Sequence, residues 1–93
     1  MNLKYLEEIT IWRMCIMTNL EMVSQYAVFS DNIKAYRKER GFTQEVLAEK
    51  SELSISYIKQ IESCKEYKNL TLTSILKLSK ALEVPVNQLF HKR

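Results

Sequence analysis

The chain has 93 residues and a mass of 11.0 kDa, which is enough for one small domain. Because 46% of the residues are hydrophobic and 27% are charged, a globular chain is expected and a disordered one is excluded. One Gly and one Pro are too few for the tight turns of an all-β fold of this length. The composition therefore predicts an all-α protein.

Charge and hydrophobicity change along the chain near Ser30. Residues 1–30 carry two basic and three acidic side chains, a net charge of 2 − 3 = −1, whereas residues 31–93 carry 12 − 8 = +4. The four Met residues and the one Trp also lie in residues 1–30. We therefore predict two parts, an apolar helical extension at residues 1–24 and a domain at residues 25–93. The mild basic bias of the second part fits a polyanionic partner, but it also fits an ordinary solvated surface.

Several kinds of site and segment are excluded by the residues present. Cys15 and Cys64 form no metal-binding spacing, and His91 is the sole histidine, so no metal or cofactor is predicted. Arg13 interrupts the apolar run at residues 9–17, which is shorter than the roughly 20 residues that span a bilayer. We find no secretory signal, no acid–base pair and no phosphate-binding Gly loop. We therefore predict a cytoplasmic protein that is not an enzyme and has no membrane partner.

The extension carries an apolar stripe spaced by three or four residues, which predicts a helix that packs against the domain or a second subunit. The stripe consists of Tyr5, Ile9, Trp12, Ile16, Leu20 and Val23. The alternative is that translation starts at Met17 or Met22 and that the upstream residues are a disordered or artefactual extension. A further alternative for function is a protein-interaction module or antitoxin that binds a partner protein through residues 1–24.

Helix signals continue through the domain. Phe29, Ile33 and Tyr36 are spaced as one helical stripe, and Gly41 ends that first helix. Thr43 is predicted to cap a second helix at residues 44–50, and after a three-residue turn Ser54 is predicted to cap a third. The inward face of the third helix would contain Ile58 and Ile61.

The last two predicted helices follow a polar loop at residues 63–69. Thr71 opens the fourth helix, whose buried side is predicted to consist of Leu72, Ile75, Leu76, Leu78 and Leu82. Pro85 is predicted at the first position of a final helical turn, where its missing N–H costs nothing. The side chains predicted to face inward from this turn are Val86, Leu89 and Phe90.

Three stretches of this sequence together resemble the Cro/CI-type helix-turn-helix family, also called the XRE family. They are residues 32–51, NIKAYRKERGFTQEVLAEKS; residues 53–62, LSISYIKQIE; and residues 76–84, LKLSKALEV. The resemblance implies a compact five-helix lambda-repressor-like DNA-binding domain. It also implies a transcriptional regulator that binds double-stranded DNA as a homodimer on a two-fold operator.

The third helix would then enter the major groove of DNA. Gln60 and Ser56 can hydrogen-bond to base edges, and Ile55 can contact a thymine methyl group unless it packs into the core instead. Lys59 would neutralise a phosphate, and Gln44 would reach one from the start of the second helix unless it is merely solvated. The predicted DNA-binding residues are Gln44, Ser54, Ile55, Ser56, Tyr57, Lys59, Gln60, Lys65 and Lys68.

The resemblance also implies a structural ion pair between Arg37 and Glu62, which could instead be two independent surface charges. Two positions depart from the family pattern. Glu52 stands in the turn where a Gly is usual because the backbone there often takes positive φ, so either some strain or a different turn is expected. Cys64 replaces another common Gly, and the loop at residues 65–69 is longer than usual, which leaves its phosphate contacts in doubt.

Overall fold

The computed structural model describes residues 19–63 and 70–93 of the chain. Five helices follow one another in these residues, namely α1 (Asn19–Glu39), α2 (Gln44–Ser51), α3 (Ile55–Ser63), α4 (Leu72–Leu82) and α5 (Val86–Leu89). No strand occurs in this part of the chain, and the predicted all-α fold is confirmed. Residues 1–18 of the predicted extension, together with Cys64, Lys65 and Lys68, lie outside the described residues.

The first helix, α1, is 21 residues long and runs without a break through positions 24 and 25. It ends as predicted at Gly41, whose φ of 74° is readily adopted only without a side chain. The amide of Gly41 donates to the carbonyl of Lys38 at 3.0 Å, and that of Phe42 donates to the carbonyl of Arg37 at 3.0 Å. This pair of bonds is a Schellman motif. No helix in the two described ranges is both long enough and apolar enough to cross a membrane.

Hydroxyl side chains begin three of the helices, as the sequence predicts. The hydroxyl oxygen of Thr43 accepts from the amide of Val46 at 3.1 Å at the start of α2. Ser54 caps α3 in the same way at 3.1 Å, and Thr71 caps α4 at 3.1 Å. Each cap satisfies an amide that has no partner within its helix, a contribution of about 1 kcal/mol.

All five helices contribute to one hydrophobic core, which lies between α1 on one side and α2 to α5 on the others. Its buried members are Phe29, Ile33, Leu47, Ala48, Ile58, Ile61, Leu78, Leu82, Val84 and Leu89. The ring of Phe90 stacks on that of Phe29, with 5.0 Å between centroids. The short helices α2 and α3 are therefore held in place mainly by burial of their apolar side chains, since isolated helices of this length have marginal stability.

The predicted buried side of α4 is wrong at two positions. Leu72 is 68% exposed and Leu76 is 50% exposed, whereas Leu78 and Leu82 are fully buried. The arc that faces the core passes through positions 74, 78 and 82, so it includes Ser74. A helix can turn only part of its surface towards the core, and five apolar positions on α4 span more than that part.

Polar side chains of α1 and of Arg40, the residue that follows it, bind carbonyls at the ends of α4 and α5. The buried side chain of Asn32 donates from Nδ2 to the carbonyls of Leu89 at 2.8 Å and of His91 at 2.9 Å. Arg40 donates from Nε to the carbonyl of Leu82 at 2.9 Å. These bonds satisfy carbonyls that have no partner within their own helices. Pro85 is the N-cap of α5, one residue earlier than predicted.

Candidate nucleic-acid interface

The three residues at positions 52–54 connect α2 to α3. Glu52 adopts φ 58° and ψ 34°, so of the two alternatives the turn keeps the usual left-handed backbone and accepts the strain of a side chain there. The amide of Glu52 donates to the carbonyls of Ala48 and Glu49. The amide of Leu53 donates to the carbonyl of Ala48 at 3.0 Å. These bonds terminate α2. The left-handed backbone conformation of Glu52 is less favourable than it would be for glycine, because Glu52 has a side chain. The turn therefore fixes the direction in which α3 leaves α2.

Helix α3 has one buried and one exposed face. Its buried side chains are Ile58, Ile61 and Glu62. Its exposed side chains are all polar, namely Ser56, Lys59, Gln60 and Ser63. The structure thus brings three predicted DNA-binding residues together on one face, next to the exposed cap Ser54. Ser63 was not predicted, although a spacing of four from Lys59 could have indicated it, and its hydroxyl donates to the carbonyl of Gln60 at 3.0 Å.

Two predicted contact residues, Ile55 and Tyr57, lie at the edges of this polar face. Both side chains are half-buried and pack against the hydrophobic core. The hydroxyl of Tyr57 is buried and has no hydrogen-bond partner among the described residues. The core therefore takes up much of each side chain, and contact with a thymine methyl group by Ile55 stays a prediction.

The predicted ion pair between Arg37 and Glu62 is confirmed and is largely buried. Arg37 donates from Nε to Oε2 of Glu62 at 2.7 Å and from Nη2 to Oε1 at 2.9 Å, a two-pronged contact. The side chains are only 12% and 2% exposed, respectively. Arg37 also donates from Nη1 to the carbonyl of Phe42 at 2.8 Å. The pair therefore connects the end of α1 to the end of α3.

The half-buried side chain of Gln44 belongs to the same network. Its Nε2 donates to Oε1 of Glu62 at 3.2 Å, so the first residue of α2 is hydrogen-bonded to the last turn of α3. An amide nitrogen carries two hydrogens, and this bond uses one of them. The other, with the first amides of α2, can serve a phosphate oxygen. The exposed carboxylate of Glu45 lies at the same helix end and opposes this attraction.

Some charged side chains of the described residues are engaged elsewhere on the domain. Arg93 pairs with Glu39, and this hydrogen bond raises the pKa of Arg93 above its ordinary value. Lys50 lies over the ring of Phe42, 5.1 Å from its centroid. Residues 19–63 and 70–93 contain no cluster of three or more His, Cys, Asp or Glu side chains that could hold a metal ion.

Comparisons with known proteins match this arrangement of helices. The family model described as helix-turn-helix matches residues 33–89. Control protein C.SmaI from Serratia marcescens is 33% identical over 66 residues, which are 71% of this chain and 76% of that protein.

Two crystal structures share the fold. The restriction-modification controller protein C.AhdI from Aeromonas hydrophila superimposes with a TM-score of 0.66 at 33% identity, covering 72% of this chain and 98% of that one. A hypothetical transcription factor, NHTF from Neisseria, superimposes with a TM-score of 0.67 at 31% identity, covering 73% and 76%. The matched family consists of transcription regulators and not of enzymes. The chain belongs to the Cro/CI-type helix-turn-helix family of DNA-binding transcriptional regulators.

Proposed function

We propose that the protein is a sequence-specific regulator that acts as a homodimer on a two-fold operator, with α3 in the major groove of each half-site. The observation that carries this proposal is the wholly polar exposed face of α3, opposite a face that is buried in the core. A rigidly held helix with such a face can present side chains to base edges, since it moves with the domain as one body. Hydrogen bonds from Arg37 of α1 and Gln44 of α2 to the buried Glu62 of α3 support this rigidity.

The residues of the interface divide by chemistry. Gln60 and Ser56 carry donors and acceptors that suit base edges, and they determine which sequence is bound. Lys59 and the N-terminal end of α2 with Gln44 bind phosphates, which give affinity without sequence information. Lys65 and Lys68 would add phosphate contacts from outside the described residues.

We propose restriction–modification genes as the regulated targets. Two relatives that are each 33% identical to this chain are controller proteins by name, and the chain covers most of the length of each. A DNA-binding domain of this kind regulates by where it binds relative to a promoter. The cytoplasm is the compartment in which such a protein would work.

Selection of bound sequences from a random pool of duplex DNA tests the proposal. We expect a motif with two-fold symmetry whose half-sites lie about 34 Å apart, one helical turn of DNA. Binding to it should weaken with salt, with a log–log slope of about −0.9 for each phosphate neutralised. A flat salt response would exclude DNA binding of the proposed kind, and a motif without symmetry would exclude the dimer.

Substitutions on α3 separate base contacts from phosphate contacts. Gln60→Ala or Ser56→Ala should reduce the preference for operator over random DNA by about 1–3 kcal/mol, because a base-edge contact is lost. Lys59→Ala, the matched control on the same face, should weaken binding to all sequences about equally and make the salt slope shallower. Competition binding at several salt concentrations measures both quantities. If Gln60→Ala and Lys59→Ala lost specific and non-specific binding in the same proportion, this division of roles would be wrong.

A further inference from the structure

The buried carboxylate of Glu62 contacts a side chain at the proposed phosphate-binding end of α2. Arg37 of α1 donates to both of its oxygens, and Gln44 of α2 donates from Nε2 to Oε1 at 3.2 Å. The side chain of Glu62 is only 2% exposed, so DNA cannot reach it. Gln44 is half-buried and is the first residue of α2. A buried group of α3 therefore holds a side chain that the proposed function places on the DNA backbone.

We propose that Glu62 is a positioning residue for binding of the DNA backbone, because it fixes which end of the Gln44 side-chain amide a phosphate meets. The inference rests on the proposed function and adds a role for a residue that does not contact DNA. The amide of Gln44 has two hydrogens on Nε2 and an oxygen that only accepts hydrogen bonds. A phosphate is attracted by those hydrogens and repelled by that oxygen. The orientation of the amide therefore decides whether the contact is favourable.

The hydrogen bonds of Glu62 select one orientation of this amide. The guanidinium of Arg37 can only donate, so both oxygens of Glu62 are acceptors towards it. Oε1 has a second lone pair, and Gln44 meets it with Nε2. One hydrogen of Nε2 is used in this bond, and the other diverges from it in the amide plane and stays available for a phosphate. Because the side chain is restrained before DNA arrives, binding loses less side-chain entropy.

Arg37 keeps the carboxylate of Glu62 from opposing the phosphate contact. An unpaired carboxylate near the start of α2 would repel an anion, as the exposed Glu45 does. The two-pronged ion pair of Arg37 with Glu62 adds no net charge, and the two side chains are only 12% and 2% exposed. The network therefore holds an oriented donor at the start of α2 without adding negative charge there.

A double-mutant cycle on the full chain tests the inference. Binding is measured to duplex DNA of random sequence, since a phosphate contact carries no sequence information. Glu62→Gln should weaken binding about two- to tenfold more in the wild-type chain than in a chain that carries Gln44→Ala, the value of one hydrogen bond. Loss of the carboxylate charge acts equally in both chains and cancels in the comparison. An equal effect of Glu62→Gln in the two chains would overturn the inference.

The preference for operator over random DNA distinguishes positioning of Gln44 from a merely structural role of Glu62. If Glu62 served only to place α3, its replacement would move Ser56 and Gln60 away from the bases, and the preference would fall. Under the inference only a sequence-independent contact is lost, so the Glu62→Gln variant should keep the preference of the wild type. A preference that falls along with overall affinity would overturn the inference.

Controls for charge and folding complete the design. Glu39→Gln removes a carboxylate at an exposed position and should affect binding equally with and without Gln44→Ala. Circular dichroism verifies that each variant is folded at the temperature of measurement. If Glu62→Gln is unfolded, Arg37→Met/Glu62→Leu removes the acceptor of Gln44 without leaving a charge buried. This double variant should then show the same two- to tenfold dependence on Gln44.

The outcomes separate this inference from the proposed function. If Gln44→Ala binds random duplex DNA as tightly as the wild type, the inference is wrong, although recognition of an operator by α3 stands. If the wild type binds duplex DNA but prefers no selected sequence, the proposed function fails. The cycle between Gln44 and Glu62 on random DNA then still supports or overturns the positioning of the amide.

Discussion

Replacing Arg37 by Met is expected to destabilise the domain by about 3–5 kcal/mol, the usual effect of removing one partner from a buried ion pair. Glu62 would be left without its ionic partner at a position where its side chain is only 2% exposed. Both of its oxygens would lose a bond to the guanidinium, and among the described residues the bond from Gln44 would remain. The carbonyl of Phe42 would lose its donor as well.

Urea unfolding followed by circular dichroism measures this change. Glu39→Gln is the matched control, because it breaks the exposed pair with Arg93 and should have a far smaller effect. Arg37→Met/Glu62→Leu should recover part of the lost stability, since no unpaired charge remains buried. If Arg37→Met unfolded no earlier than Glu39→Gln, the buried pair would not have the role that its geometry indicates.

Phe29→Ala is expected to destabilise the domain by a similar amount, about 3–5 kcal/mol. The side chain is fully buried in the core and also supports the ring of Phe90. Its removal combines the loss of buried apolar surface with a cavity that the surrounding helices can only partly fill. Such a loss is large beside the 5–15 kcal/mol that typically holds a domain together.

Phe90→Ala is the matched control for this substitution, because it removes the other ring of the same stack at a position that is 37% exposed. Its effect should be clearly smaller, since less apolar surface returns to water. Thermal and urea unfolding of both variants give the comparison. Equal destabilisation by the two substitutions would show that the stack, and not burial of Phe29 in the core, carries the stability.

Local features of this fold were predictable because local physics decides them. A hydroxyl that caps a helix bonds an amide three residues later, so Thr43, Ser54 and Thr71 could be assigned from the chain alone. Gly41 followed from the ease with which glycine adopts positive φ, whereas at Glu52 the sequence left open whether the usual turn was kept.

The ion pair of Arg37 with Glu62 belongs to a different class. Its partners are separated by 25 residues, and no periodicity within one helix indicates that they meet. The resemblance to the family supplied this pair. The third member of the network, Gln44, was predicted either to contact a phosphate or to be merely solvated, and its bond to Glu62 is visible only in the folded chain.

The sequence by itself determined the helices of the domain and their caps, because each depends on residues close together in the chain, and the resemblance over three stretches supplied the family. The tertiary structure decided which apolar residues are buried. Leu72 and Leu76 are of the same residue type and spacing as core residues. In the packed structure, however, the side of α4 that carries Ser74 and Leu78 faces the core instead. Burial depends on how a helix is rotated against its neighbours, and a one-dimensional pattern with more apolar positions than one face can hold leaves that rotation open.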